Sequence, residues 1–469
     1  MPKIVVIGGG VVGLSAALML ARAGHDVTVF ERDDAAMPGS PQEAWQAWER
    51  RGVAQFRQPH FLHAAGYHLL GETLPDTAQA LLQAGGTPFD ALSLLPPFIT
   101  DRAPREADDR FATVTGRRPV IEYAVAATAG ERVDIRRGVS VTELVTGPAA
   151  RDGVPHVTGV RTSSGDELAA DVVIDAMGRR SVLPAWLAAL GAPAPAEEAE
   201  DSGFTYYTRY FRSASGEQPQ FITGLLTPFD SFSLLTLPGD AGTWSVTVYI
   251  SSRDQALKEL RQPEKWTALI AACPFHAHLL DGEPLTDVGA MSGIVDRRRG
   301  LVVNGAPVVT GLVTVGDSAY CTNPSLGRGM TMGFMHAAGT VEVIGKHLDD
   351  PLTLAAEHDR MTQTRVLPWY RATVEFDRAR KAQMDAAIEG RPAPQPAGQA
   401  ALFQQAFGKA MLYDADVFRA MMEIIMMHAL PDEVFGRPGF ASRVSAAAEG
   451  RETFIPPGPS RAELLAALG

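Results

Sequence analysis

The chain has 469 residues, 46% of them apolar and 20% charged, a composition ordinary for a soluble globular protein and a length that calls for two or three interlocked domains. A formal net charge of −12 argues against a nucleic-acid partner, since phosphate binding needs a basic footprint, but leaves room for a local basic pocket. Two cysteines, Cys273 and Cys321, make neither a disulfide framework nor a metal site, and the cytoplasm is the expected compartment.

Residues 4–21 carry no charge and lie between Lys3 and Arg22, the form of a signal peptide or a short membrane helix. Glycines at 8, 9, 10 and 13 break that run at its centre, and no other candidate span, transmembrane segment or internal repeat is visible. Low complexity is confined to a Pro/Ala stretch near Pro392–Pro396. Residues 3–7 (KIVVI) read as a buried parallel strand, residues 14–23 as a helix stopped by Gly24, and residues 25–30 as a second strand ending at Glu31. Between strand and helix, residues 8–13 match G-x-G-x-x-G. Gly8 permits the tight turn, Gly10 lets backbone approach a pyrophosphate, and Gly13 lets helix and strand pack closely. The helix N-terminus offers free N–H groups to phosphates. Glu31, 18 residues after Gly13, is placed to accept from ribose hydroxyls. Val12 within the motif and Arg32 beside Glu31 complete the expected cofactor-binding set at this end. The motif alone does not separate FAD from NAD.

Arg57 follows the first βαβ unit, and His60, His63 and His68 are expected on a helix after it, with no metal-binding spacing. Residues 157–166 suggest a hairpin, and residues 171–181 (DVVIDAMGRRS) a strand running into Asp175 and a glycine turn. Aromatic and β-branched runs at 204–211, 220–223, 231–237 and 244–250 suggest a sheet. Alternation puts Tyr206, Thr208 and Tyr210 on one face and Tyr207, Arg209 and Phe211 on the other; either face serves as a pocket wall or, by default, as core. Residues 311–319 (GLVTVGDSA) are again a strand running into a Gly-Asp pair, followed by Asn323-Pro324, Gly327, Gly329, Met330 and a helical stretch through Gly339. An acid at such a strand end, Asp317, can hold a ribityl hydroxyl, and a helix starting near 327–330 can aim N–H groups at the electron-rich edge of a flavin ring. Cys321, just before that loop, is expected to be a small buried residue. The chain then turns helical over residues 353–388 and 416–430; the second stretch is rich in methionine and suits core packing or the cover of an apolar substrate.

The segments 3–31, 171–181 and 311–330, in this order, resemble the FAD-dependent monooxygenases of the aromatic hydroxylase and squalene epoxidase type. They are most similar to bacterial epoxidase-like enzymes that act on polyene or polyketide substrates. Residues 52–60, 118–122, 178–184 and 457–461 are similar to further stretches of that group. The likeness spans nearly the whole chain and is weakest over residues 204–284.

The resemblance implies an α/β protein: a Rossmann-like FAD-binding domain, an inserted mainly β-sheet substrate domain and a helical C-terminal region. The FAD-binding domain would take residues 1–75, 111–182 and 296–345, the substrate domain residues 76–110 and 183–295, and the helical region residues 346–469. It implies Asp317 on the ribityl chain, Arg118 on the cofactor with Arg117 as its neighbouring competitor, Arg57 as a further cofactor contact, and Pro324, Gly327, Gly329 and Met330 beside the ring. Asn323 and Pro324 are the candidates within the flavin-facing loop; no catalytic triad and no metal are expected. The implied reaction runs through a flavin C4a-hydroperoxide, with molecular oxygen as co-substrate and a small apolar organic molecule (polyene, polyketide or aromatic) hydroxylated or epoxidised, in secondary metabolism. Electrons would come from NADPH or NADH, directly or through a flavin reductase. Many single-component hydroxylases of this type carry Asp-Gly where this chain reads Asp175-Ala176-Met177-Gly178, which leaves direct nicotinamide use and a purely structural Asp175 both open. The rival readings are a FAD dehydrogenase, oxidase or reductase without oxygen transfer, a flavin-dependent halogenase, and a non-catalytic flavoprotein. The halogenase fits poorly, since no lysine falls between Lys3 and Lys258.

Overall fold

The structure, a computed structural model, describes residues 1–394 and 397–468. Gln395 and Pro396 of the expected Pro/Ala stretch lie outside the described residues. The first layer is a five-stranded parallel sheet in the order Leu312–Thr314, Val172–Asp175, Lys3–Ile7, Asp26–Glu31, Asp134–Arg137. Register aligns Ile7 with both Phe30 and Asp175, and Thr314 with Asp175, so the strand ends that carry the motifs lie level. The period of two splits each strand between two cores. Ile4, Val6, Val172 and Ile174 face the helices Val11–Arg22, Arg118–Gly130 and Gly329–His347. Val5, Ile7 and Val173 face the antiparallel hairpin sheet that contains Leu144, Val157 and Val160. Each such buried aliphatic side chain stabilises the fold by about 1.5–3 kcal/mol, which is why these strands read as unbroken β-branched runs.

The second large sheet is antiparallel, ordered Leu226–Pro228, Phe232–Pro238, Thr243–Ser251, Phe204–Arg212, Glu283–Pro284, with Gly289–Ser292 also paired to Phe204–Arg212. Tyr207 and Phe211 point to one face, where Trp244, Val246 and Trp266 pack. Tyr206, Thr208 and Tyr210 point to the other, toward the parallel sheet's domain. There the Tyr206 hydroxyl donates to Asn323 Oδ1, and the Tyr210 ring meets Trp45 at 4.9 Å. Residues 220–223 form no strand: Pro219 and Gly224 bracket them, and pairing begins at Leu226 opposite Leu235.

The expected helical run 353–388 is two helices, Pro351–Arg365 and Leu367–Ile388, broken at Val366 because Pro368 has no N–H for the ladder. The methionine-rich helix spans Ala415–Ile425, capped by the Asp414 carboxylate, and stops before Met427, whose φ is +65°. Its Phe418 and Met422 pack on Phe61, Phe111 and Leu237. Of the three expected helical histidines only His68 is on the helix, Ala64–Thr73; His63 caps it in extended conformation and His60 lies in the strand-like approach after Pro59. The two large layers are clamped by Arg117, which donates from Nε to Asp240 Oδ1 at 2.9 Å and from Nη2 to Oδ2 at 2.6 Å, with its guanidinium 4.4 Å above the Trp45 ring. Among the described residues no helix is long and apolar enough to cross a membrane.

Candidate active site

A cleft runs along the carboxyl ends of the parallel strands, from Glu31 and Arg32 at one end to Met291, Ile294 and Pro324 against the antiparallel sheet at the other. Its position follows from topology: each strand ends at the same level and hands over to a turn or helix there. Gly8 takes φ +112°, and a side chain on it would meet the Ala176 carbonyl oxygen at 2.4 Å. A methyl on Gly13 would sit 2.1 Å from the Gly8 oxygen, so helix and strand are in backbone contact. Gly10 is different: it lines the cleft, and a methyl there would meet nothing within 4 Å. Val12 also lines the cleft and wedges against the helix Gly329–His347, where a methyl on Gly333 would touch its Cγ2 at 2.3 Å.

Two helix N-termini open into this space. Neither Gly10, before Val11–Arg22, nor Arg328, before Gly329–His347, supplies a side-chain cap, and neither first turn carries an acid. Their leading N–H groups are therefore free for an anion or a carbonyl. Asp317 sits between them on the turn Gly316–Ser318. Burial pushes its pKa up, while Arg118, Arg179 and a hydrogen bond with Gln55 pull it back. That turn is held from behind by His336, whose Nδ1 accepts from Gly316 N–H at 3.3 Å; burial, with His358 alongside, pushes His336 well below the usual range, so it stays neutral.

The other end is built on a buried charge network. Glu31 accepts from Gly9 N–H and Arg50 Nη2, each at 2.9 Å, and from Asp33 N–H at 2.9 Å. Arg50 reaches on to Glu122 at 3.2 Å, and Glu122 accepts from Arg118 Nε at 2.6 Å. Arg118 Nη1 donates to His60 Nε2 at 2.9 Å, and His60 Nδ1 donates to the Gln58 carbonyl at 2.9 Å. Burial, with the Arg118 cation beside it, pushes His60 down to about 3, so the ring is neutral, and its two partners set the tautomer.

The cleft thus gathers Gly8, Gly10, Val12, Gly13, Glu31, Arg32, Arg118, Asp317, Pro324, Gly327, Gly329 and Met330. It does not gather Arg57, whose Nη1 and Nη2 donate to the Ala44 and Trp48 carbonyls while the guanidinium stacks 5.2 Å from Trp45. Arg117 is equally remote, committed to Asp240. Asn323 lies behind the loop, accepting from Tyr206 and donating its N–H to Asp296 Oδ1 at 2.6 Å. Asp175 is fully buried and ties its own turn, accepting from Met177 N–H at 2.9 Å and from the Ser181 hydroxyl; burial pushes it up to about 6 against those bonds. Cys321 borders the cleft but is 3% exposed, and burial raises its thiol pKa far beyond a reactive range. Arg50, Gln55, His60 and Arg179 also line the cleft: Gln55, His60 and Arg179 fall within the family-like stretches 52–60 and 178–184 without an expected role there, Arg50 falls in none, and only folding brings them to Glu31, Arg118 and Asp317.

These residues fit a flavin dinucleotide. Gly10 faces open space that any side chain would fill, the two uncapped helix ends and Arg118 supply donors and positive charge for a diphosphate, and Asp317 supplies an acceptor between them.

The family model of FAD dependent oxidoreductases matches residues 3–45. A Mycobacterium tuberculosis protein, Rv3254, is 28% identical over 396 residues, covering 78% of this chain and 77% of that protein. Among solved structures, pqsL of Pseudomonas aeruginosa, described as a probable FAD-dependent monooxygenase, superposes with a TM-score of 0.60 at 16% identity, over 82% of this chain and 97% of that one. OxyS anhydrotetracycline hydroxylase of Streptomyces rimosus gives 0.56 at 18% identity, over 91% and 76%. A flavoprotein/dehydrogenase of Cytophaga hutchinsonii gives 0.58 at 15% identity, over 95% and 96%. The fold is the one these flavoproteins share, probable monooxygenase, hydroxylase and dehydrogenase alike. Together with the matched N-terminal segment it supports an oxidoreductase.

Proposed function

We propose that the protein binds FAD in this cleft and is a monooxygenase that hydroxylates or epoxidises an apolar organic substrate. The observation that carries the reading is the meeting, in one cleft, of the Gly10 and Arg328 helix ends with Asp317, closed at its far end by Met291 and Ile294 beside the antiparallel sheet. Arg118 and the Val11 helix end would hold the diphosphate, Glu31 the ribose, Asp317 the ribityl chain, and the Gly329 helix end the electron-rich edge of the ring. When bound and reduced, FAD supplies the activation of molecular oxygen. The protein's own part is to orient the substrate against Pro324 and Gly327, and to exclude water with Met291, Ile294 and Met330. His60, with both ring nitrogens engaged by Arg118 and the Gln58 carbonyl, and Cys321, whose thiol is buried, offer no free nucleophile there. An aromatic or polyketide substrate accords with pqsL, solved with 2-aminobenzoylacetate, and with OxyS, a hydroxylase of anhydrotetracycline. NADPH or NADH would supply electrons, directly or through a reductase.

A second reading, a FAD dehydrogenase without oxygen transfer, is favoured by the likeness to the Cytophaga flavoprotein/dehydrogenase and by a 27% identical stretch of a Methylobacterium nodulans D-amino acid dehydrogenase. Turnover of a panel of polyenes, polyketides and phenols under ¹⁸O₂ separates the two. One labelled oxygen per product molecule is expected; turnover without label moves the protein to the second reading.

A further inference from the structure

The flavin-facing loop has a second side, turned away from the cleft, and the helix Leu367–Ile388 is packed against it. Trp369, Thr373, Asp377, Arg380 and Met384 recur at three- to four-residue spacing and form one buried face of that helix. The face touches both halves of the molecule. Arg380 donates from Nε to Ser233 Oγ at 2.9 Å and from Nη2 to the Phe229 and Phe232 carbonyls, anchoring the helix on the antiparallel sheet. Toward the loop, Arg328 donates to Thr373 Oγ1 at 3.3 Å and lies 5.2 Å from the Trp369 ring.

Asp377 lies between these anchors. It is 1% exposed, and neither carboxyl oxygen has a hydrogen-bond partner among the described residues. The Ser325 hydroxyl, also buried and without a partner, acts on it from the loop, and Arg328 does so from the start of the next helix. Arg328 commits its Nη1 to Thr373 and makes no hydrogen bond to either Asp377 oxygen. The remaining groups facing it are Asp296 from the strand Val295–Gly300, and the phenols of Tyr206 and Tyr249 from the antiparallel sheet. A buried carboxyl so placed is held neutral by its surroundings or draws the nearest cation when it ionises. Burial pushes its pKa up to about 8, with Asp296 adding to the effect and Ser325 and Arg328 opposing it.

We propose that Asp377 is a positioning residue for the flavin-facing loop, setting the placement of Ser325 and Arg328, and with them the Pro324–Met330 wall of the cleft, according to whether it carries a proton. The proton passes between the carboxyl and solvent; no bond to cofactor or substrate is made or broken. With the proton on, Asp377 is neutral and Arg328 rests on Trp369 and Thr373. With the proton off, the carboxylate draws Arg328 and Ser325 toward the helix, and the loop that borders the cleft moves with them. This rests on the reading that the cleft binds FAD.

The test titrates the whole protein with FAD by flavin fluorescence between pH 6 and pH 9 and, in parallel, follows Trp369 emission of the apoprotein, with Trp369→Phe to identify that signal. The dissociation constant is expected to rise about tenfold across a midpoint near pH 8. Asp377→Asn, fixed in the neutral form, should show a flat profile at the low-pH affinity, and Trp369 emission should lose the same step. Arg328→Lys, which keeps a cation, should retain the step, and Arg328→Gln should abolish it. Those two variants read the same coupling from its other end should Asp377→Asn fail to fold. A native profile that is flat, or a step that persists in Asp377→Asn or Arg328→Gln, overturns the proposal. If FAD does not bind at any pH the cofactor reading fails by itself, and the Trp369 titration still decides whether Asp377 controls Arg328.

Discussion

Gly10→Ala separates the demands of the fold from those of the ligand. Gly10 has φ −79° and ψ 175°, extended backbone that alanine adopts freely, and the added methyl meets no atom within 4 Å. Alanine is a poorer N-cap than glycine by about 1 kcal/mol, while the stiffer unfolded chain returns about 0.4–1 kcal/mol, so the apoprotein's stability should change by less than about 1 kcal/mol. For the ligand the same methyl fills the space beside the free N–H groups. Overpacking by one carbon costs about 1–3 kcal/mol, which at about 1.4 kcal/mol per tenfold weakens FAD binding roughly 5- to 150-fold. Gly13→Ala should do the reverse. Its methyl would lie 2.1 Å from the Gly8 oxygen and 3.1 Å from Ala176 Cβ, so the helix must move and the fold itself is destabilised. Thermal melts of the apoproteins beside FAD titrations read both quantities. Gly10→Ala with native FAD affinity, or with a melting loss as large as that of Gly13→Ala, would refute the reasoning.

Arg118→Gln removes the charged donor between Glu122 and the cleft and should weaken FAD at least tenfold, whereas Arg57→Gln, bonded to the Ala44 and Trp48 carbonyls instead, should stay within about twofold; equilibrium fluorescence titration compares them. Arg117→Leu leaves the Asp240 carboxylate buried and unpaired, and urea denaturation should show a loss of about 3–5 kcal/mol, mostly recovered when Asp240 is replaced as well. The Asp377 carboxyl, at about 8 in the folded protein against about 3.9 unfolded, favours the native state fully below the unfolded value, and that contribution is lost as pH rises toward 8. Asp377→Asn should therefore flatten stability between pH 5 and pH 9 and exceed the native protein at pH 9, by several kcal/mol as an upper bound; denaturation at those pH values checks the sign. Cys321 should resist alkylation at pH 8 in the folded protein and react at once in denaturant, as thiol counting will show.

The parts of the molecule that were legible in the sequence are those whose physics is local. The strand 3–7, the glycine turn and the acid at Glu31 are set by β-branched burial, a positive φ and a fixed spacing, and the structure places each as read. The turn holding Asp317 was legible for the same reason. The alternation that divides Tyr206 from Tyr207 likewise needs only the pleat. What the sequence concealed depends on distant chain. Arg50 and Arg57 sit seven residues apart in one stretch of turns without periodicity, and only the packing of Glu31, Glu122 and Trp45 decides that Arg50 turns to the cleft and Arg57 away. His60 joins Arg118 across 58 residues, and Asp377 meets Ser325 across 52. The strand expected at 220–223 failed because its aromatic and β-branched content outweighed the Pro219 and Gly224 breakers, whereas the helical run through 388 is present and is only divided at Val366, ahead of Pro368.

The central claim is that this cleft holds FAD and uses it to activate oxygen. The protein, reconstituted with FAD and reduced anaerobically, is mixed with oxygen in a stopped-flow spectrometer, with and without candidate aromatic and polyene substrates bound. Stoichiometric FAD and a transient flavin–oxygen spectrum distinct from both reduced and oxidised forms are expected, the transient decaying faster when a true substrate is present. Direct return to oxidised flavin under every condition would contradict it and leave the protein a flavin dehydrogenase.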